Sequence, residues 1–140
     1  MKLSIQIEPK ETYLYVLVTG TFELSEAMDL TVRVLDACVE HSLFKILVDQ
    51  RSLQGEMSVM DRWRYATFMA RHIIERISKG TFPYCRVAYV GNAPIIDPGG
   101  FAEMVMANRG IIAKATLDIN EGLRWLGVES TTMQPLSNGE

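Results

Sequence analysis

Residues 45–61 read KILVDQRSLQGEMSVMD and carry the signals of a buried strand, a loop and a helix start. The segment from Lys45 to Asp49 is a short, mostly β-branched and apolar run, which is typical of a central strand covered on both faces. A loop through Gly55 follows. Ser58 and Asp61 then have the Ser-x-x-acid spacing of a capping box at a helix N-terminus. This stretch predicts an α/β domain with the ILVD segment in the middle of its sheet.

The alternation of strands and helices continues on both sides of this stretch. Upstream, an alternating strand leads into a continuous apolar run. Ser25 is then predicted as a helix N-cap, and helical spacing follows to about His41. Downstream, the long helix is predicted to end near Gly80, and a strand follows at residues 86–90. A helix is predicted to start at Asp97 and a strand to span residues 113–117. Asp118 and Glu121 have the spacing of a second capping box, which predicts a final helix.

The order of elements predicts a single α/β domain at residues 1–128. Its mixed, mainly parallel sheet has about five strands, with the first strand antiparallel at an edge, and four helices flank it. From Glu129 the sequence becomes polar, so residues 129–140 are predicted to be a flexible C-terminal tail.

Composition and charge limit the classes of function. The chain of 140 residues is 48% hydrophobic, which indicates a folded domain, yet no apolar run reaches the roughly 18–20 residues of a transmembrane segment. Its 14 basic and 17 acidic residues give a net charge of -3, which disfavours nucleic acid as a partner. The N-terminal residues alternate in polarity where a signal peptide would be continuously apolar, so we expect a cytoplasmic protein.

Chemistry-bearing motifs are few. The only two histidines, His41 and His72, lack a second ligand at helical spacing, and no phosphate-binding glycine motif occurs. Cys38 and Cys85 lie far apart in apolar segments, which indicates reduced core thiols. The sequence therefore predicts no metal, no cofactor and no enzymatic activity.

Any ligand of such a sheet is expected at the carboxyl ends of its strands. The candidate residues there are Asp49, Arg51 and Asn92. For Asp49 the simpler interpretation is a loop carboxylate that accepts backbone N–H bonds.

The long helix carries the candidate interaction surface. At about 100° per residue, one face is predicted to form core through seven apolar residues: Val59, Trp63, Ala66, Ala70, Ile73, Ile74 and Ile77. Tyr65, Phe68 and His72 are predicted on the opposite face, beside Arg64 and Arg71.

Aromatic rings bordered by arginine have the composition of protein interfaces. Three interpretations remain open: a loop or the tail covers these rings, a partner with an acidic surface or a lipid headgroup binds them, or the chain forms a homodimer. In the homodimer, Arg64 or Arg71 would reach Glu75 across a two-fold axis.

Three segments carry a family resemblance: ILVDQRSLQG, FAEMVMANRG and LDINEGLRWLG. Over roughly residues 12–127 the chain resembles the STAS superfamily, specifically its SpoIIAA-like STAS/SEC14 group. The resemblance implies a non-enzymatic regulatory module that binds a protein partner. The SEC14 side of the group, together with eight methionines able to line an adaptable pocket, gives the alternative of a carrier or sensor of a small apolar or lipid ligand.

The resemblance also implies a candidate phosphorylation switch. In phosphoswitched members, a Ser or Thr at the start of the helix after the central strand is phosphorylated, and the added charge blocks partner docking. Ser58 is nearest to that position, although residues 54–57 read QGEM where the family has an Asp-Ser-Ser-Gly-like stretch. A helix cap alone also accounts for Ser58.

Overall fold

The computed structural model describes residues 2–97 and 100–128 and contains five strands and four helices in this range. The predicted tail at residues 129–140 and Pro98 lie outside the described residues. The elements in chain order are β1 (Leu3–Pro9), β2 (Leu14–Thr21), α1 (Leu24–His41), β3 (Lys45–Gln54), α2 (Val59–Ser78), β4 (Arg86–Val90), α3 (Phe101–Ala107), β5 (Ile112–Thr116) and α4 (Ile119–Leu126).

The strands form one mixed sheet in the order β1-β2-β3-β4-β5. β1 is antiparallel to β2, and the remaining neighbours are parallel. The predicted fold class is confirmed, with the antiparallel strand at an edge and the segment from Lys45 to Asp49 at the centre.

The helices cover the two faces of the sheet unequally. On β4, Val87 and Tyr89 belong to the core that α1, α2 and α3 close, whereas Ala88 and Val90 belong to the smaller core under α4. Strand side chains alternate between faces, so this division places α2 over the sheet beside α1 and α3, and α4 on the opposite face.

The central strand is longer than predicted. β3 continues past Asp49 to Gln54, because its polar residues remain paired with β2 beyond the end of β4. Between the pairs Leu17–Asp49 and Thr19–Ser52, β3 contains one more residue than β2, which is the geometry of a β-bulge. Asp49 therefore lies within a strand, and its prediction as a strand-end loop residue is wrong.

The helix starts were predicted with mixed success. The capping box of Ser58 and Asp61 is confirmed. α1 is capped by Glu23 and not by Ser25, and α3 begins after Gly100, whose positive φ of 68° sets the start of the helix. The carboxylate of Asp118 caps α4 by accepting from the amide of Asn120 at 2.9 Å, without a capping box to Glu121.

Candidate functional site

The orientation of α2 about its axis decides which side chains the protein exposes. Its buried residues are Ala66, Met69, Ala70 and Ile73. The centre of the buried face is therefore rotated by roughly 40° from the predicted one, at 100° per residue. As a result, four residues that were predicted to be core are exposed, with fractions of 41–67%: Val59, Trp63, Ile74 and Ile77.

Tyr65 lies on the inner side of α2, so its prediction as a surface aromatic residue is wrong. Its hydroxyl is 3.0 Å from the hydroxyl of Tyr89 on β4, and the two rings meet edge to face with centroids 6.2 Å apart. Burial raises the pKa of both phenols. A buried tyrosine needs a partner for its hydroxyl, and the sequence of the helix alone did not reveal Tyr89 as that partner.

The other predicted surface residues lie on the outer side or the flank of α2. Phe68 and His72 are half-buried, with ring centroids 4.3 Å apart. Arg64 and Arg71 are exposed, and the guanidinium of Arg71 lies 6.0 Å from the Phe68 ring centroid. These four residues thus lie away from Tyr65, and their role as an interaction surface stays a prediction.

Exposed apolar side chains concentrate on α2. Of the ten large apolar side chains exposed in the described part of the chain, five belong to this helix: Val59, Met60, Trp63, Ile74 and Ile77. At 100° per residue they occupy an arc of about 100° next to Arg64 and Arg71. Clustered exposed apolar groups mark interaction sites more often than scattered ones do.

Two adjoining hollows run along this outer surface, with volumes of about 410 and 370 Å³. Thr67, Arg71 and Arg109 line both of them. We call the combined depression the α2 groove, and its lining residues are Met28, Trp63, Arg64, Thr67, Phe68, Arg71, Ile74, Glu75 and Arg109. Sequence analysis missed Arg109, because it reaches the groove from the turn after α3 and shares no periodicity with α2.

The arginines of the α2 groove carry unneutralised charge. Within residues 2–97 and 100–128, Arg64, Arg71 and Arg109 form no ion pair. By contrast, Arg76 on the same helix binds the Asp36 carboxylate at 2.8 Å. Glu75 is the single acidic residue of the groove lining, so the groove is basic although the whole chain is acidic.

Asp49, Arg51 and Asn92 come together on the other side of the sheet. The Asp49 carboxylate accepts hydrogen bonds from the Tyr15 hydroxyl at 2.6 Å, from Arg51 Nη2 at 2.8 Å and Nε at 2.9 Å, and from the Arg51 amide at 3.1 Å. The Asn92 side chain donates to the Arg51 carbonyl at 3.1 Å. The simpler interpretation of Asp49, as an acceptor of a backbone N–H, agrees with this geometry.

The charges around Asp49 hold it ionised. Burial opposes ionisation, but the hydrogen bonds from Arg51 and Tyr15 outweigh burial and lower the pKa of Asp49. Burial and the hydrogen bond to Asp49 raise the pKa of Tyr15 to about 12. Four donor groups bind this carboxylate, and three of them belong to Arg51, which lies in the bulge of β3. These hydrogen bonds therefore stabilise the bulge.

Comparison with known proteins gives structural relatives. No protein-family model and no curated protein matches the sequence. The structure is similar to an anti-sigma factor antagonist from Mycobacterium paratuberculosis, with a TM-score of 0.54, 17% identity, and coverage of 89% of this chain and 94% of that one. It is also similar to an uncharacterised DUF3478 protein with a SpoIIAA-like fold from Shewanella loihica, with a TM-score of 0.50, 23% identity, and coverage of 89% and 93%.

This chain has a SpoIIAA-like fold. The fold that the predicted resemblance implies is thereby confirmed.

The SpoIIAA-like domain also contains two small apolar cavities between its sheet and the helices. Their volumes are about 50 and 60 Å³, and Gln50, Met57 and Tyr65 line both. They lie near the carboxyl ends of the parallel strands, where ligands of α/β sheets bind. For comparison, an engineered apolar cavity of about 150 Å³ accommodates benzene.

The described residues of the SpoIIAA-like domain form neither a metal-binding cluster nor a membrane-spanning helix. Among the described residues, no group of three or more His, Cys, Asp or Glu side chains is placed to hold a metal ion. None of the helices that the structure describes has the length and apolar character of a membrane span. Cys38 and Cys85 are buried free thiols, and burial raises the pKa of Cys38 to about 12.

Proposed function

We propose that this SpoIIAA-like domain, at residues 1–128, is a non-catalytic regulatory module of the STAS type that binds a protein partner through the α2 groove. The observation that carries the proposal is the exposed Trp63, 42% accessible, on a helix that exposes four further large apolar side chains next to arginines without an ion pair among the described residues. Tryptophan and arginine are the residues that most often dominate binding energy at protein interfaces.

The structural relatives support a regulatory function. The Mycobacterium paratuberculosis protein is named for its action as an antagonist of an anti-sigma factor, which is itself a protein. A SpoIIAA-like fold therefore occurs in a protein whose named function is protein regulation, and we extend this function class to the present chain.

The chemistry of the reactive side chains supports the non-catalytic part of the proposal. Burial raises the pKa of Cys38 and of Cys85, so both thiols stay protonated and unreactive at neutral pH. The Asp49 carboxylate is engaged by Tyr15 and Arg51 and is not free to act as a base.

Ser58 is our proposed regulatory position. It is exposed, its hydroxyl accepts from the Asp61 amide at 3.0 Å, and the Asp61 carboxylate accepts from the Ser58 amide at 3.5 Å. The helix dipole would stabilise a phosphate on Ser58, whereas the negative charges of Asp61 and Glu56 would repel it. Since Trp63 follows within two helical turns, this change would alter the charge at the end of the docking surface.

The switch is tested by comparing the partners captured from cells by Ser58→Ala and Ser58→Glu. A difference between the two variants supports regulation at Ser58. Identical partners leave Ser58 as a helix cap only and refute the switch.

Trp63→Ala tests the binding function. Wild type, Trp63→Ala and the control Leu117→Ala are expressed as tagged baits in the source cells, crosslinked before lysis and analysed by mass spectrometry. Leu117 is a matched apolar control because it is 66% exposed and lies outside the α2 groove. We expect Trp63→Ala to lose a partner that Leu117→Ala retains. If all three baits recover the same proteins, the proposed function is wrong.

The two apolar cavities favour a second candidate function, the binding of a small apolar ligand. Tyr65 lines both cavities together with Gln50 and Met57, so movement of these side chains would join them into a larger apolar space. Native mass spectrometry of protein purified from its own cells tests this candidate. A stoichiometric apolar adduct supports it, and protein that is consistently free of adduct counts against it.

A further inference from the structure

The spacing of charges in the α2 groove identifies the chemistry of its partner. We propose that the groove binds an acidic segment of a partner protein, with carboxylates about 10 Å apart that pair with Arg64 and Arg71; this inference rests on the proposed function. Arg64 and Arg71 are seven residues apart on one helix face, which corresponds to about 10.5 Å along the axis at 1.5 Å per residue.

The space between the two arginines is open. Thr67 lies between them on the same face, and its short side chain donates to the Arg64 carbonyl at 3.1 Å, so it stays against the helix. Arg109 borders the hollow from the turn after α3, with Nη1 donating to the Val105 carbonyl at 3.3 Å. The arginines thus surround a concave space that a peptide can enter.

Apolar groups flank this charged centre. Trp63 and Phe68 line the hollow nearer the N-terminus of α2, and Ile74 lines the hollow nearer its C-terminus. From Trp63 to Glu75 the groove extends over twelve residues, or about 18 Å, which is the length of an extended peptide of five or six residues. An acidic segment with one or two apolar residues therefore matches both the length and the composition of the groove.

A second copy of this chain is a poorer match for the same groove. A two-fold contact would bring identical patches together, and each patch has three arginines against Glu75 alone. Like charges would then oppose each other across most of the contact.

A fluorescein-labelled peptide of eight residues, built from glutamate and leucine, is the probe for this inference. Its fluorescence anisotropy is measured with the full chain at low and at moderate ionic strength, beside a peptide with lysine in place of each glutamate. The test variant is the double substitution Arg64→Glu and Arg71→Glu. The control is Arg33→Glu with Arg124→Glu, which changes the net charge equally at exposed residues outside the groove. Circular dichroism verifies that both variants fold.

We expect the acidic peptide to bind, the lysine peptide not to bind, and added salt to weaken the complex. The groove variant should lose about tenfold in affinity or more, whereas the control should stay near wild type. Equal loss in both variants, or no binding at low salt, refutes the inference. Two other results also refute it. In the first, wild type binds vesicles that contain phosphatidylserine and the groove variant does not. In the second, wild type sediments as a dimer and the groove variant as a monomer.

These outcomes are separate from a failure of the proposed function. If Trp63→Ala loses a cellular partner while the acidic peptide does not bind, the docking surface stands and only the acidic chemistry of the partner is wrong.

Discussion

The hydroxyl pair of Tyr65 and Tyr89 gives a quantitative test of how α2 is oriented. Replacing Tyr65 by Phe leaves the buried Tyr89 hydroxyl without its partner at 3.0 Å, and replacing Tyr89 by Phe leaves the Tyr65 hydroxyl with Thr31 as its remaining polar neighbour. An unsatisfied buried hydroxyl costs about 1–3 kcal/mol, whereas removing both partners is close to neutral. We therefore expect each single variant to lose about 1–2 kcal/mol of unfolding free energy and the double variant to lose less than the sum, by about 1 kcal/mol.

Urea denaturation followed by circular dichroism measures this cycle. At a typical slope of about 1–3 kcal/mol per molar urea, each single substitution should lower the midpoint by roughly 0.5–1 M. Tyr84→Phe is the matched control, because Tyr84 is 47% exposed, and its loss should stay within about 0.5 kcal/mol.

The orientation of α2 is refuted if the Tyr65 and Tyr89 losses are additive and as small as that of Tyr84. Such a result would mean that the Tyr65 hydroxyl reaches water. Trp63 would then turn toward the core, and the α2 groove would not have the lining described above.

Three further predictions concern stability. Ser58→Ala removes the acceptor of the Asp61 amide and should lower the unfolding free energy by about 1 kcal/mol in urea denaturation, whereas an unchanged midpoint would contradict the capping box. The pKa of Asp49 is lowered in the folded state, so its stabilising effect is present at neutral pH and is lost as pH falls through the acid range. Asp49→Asn should therefore be less stable than wild type at pH 7, and its stability should depend less on pH in the acid range. An unaltered acid profile would contradict this. The pKa of Tyr15 is raised to about 12, so the phenol ionises first in the unfolded chain and stability should fall between pH 10 and pH 12. Tyr15→Phe should show a smaller decline. An equal decline in wild type and variant would contradict the shift.

Local signals explain why much of the fold could be predicted from the sequence. The capping box needs only Ser58 and Asp61, three residues apart, and the apolar run from Lys45 to Asp49 needs only its own composition to indicate a central strand. The alternation of such segments then restricts the sheet to a few topologies, and the structure has the predicted one.

Apart from the helix starts, where neighbouring residues compete as caps, the errors in the prediction concern long-range partners. The extension of β3 to Gln54 depends on pairing with β2, more than thirty residues earlier. The inward position of Tyr65 depends on Tyr89 across the core, and Met69 rather than Trp63 completes the buried face. The α2 groove likewise needed Arg109, which only the packing of α3 against α2 brings near.

Photo-crosslinking from the α2 groove in living cells tests the central claim that this surface docks a protein partner. A benzophenone side chain replaces Ile74, which is 41% exposed in the groove, and in a second variant it replaces Arg124, which is exposed on α4 across the sheet. The account predicts a discrete adduct of this chain with another protein from position 74 only. The same adducts from both positions, or an adduct from position 124 alone, would contradict it.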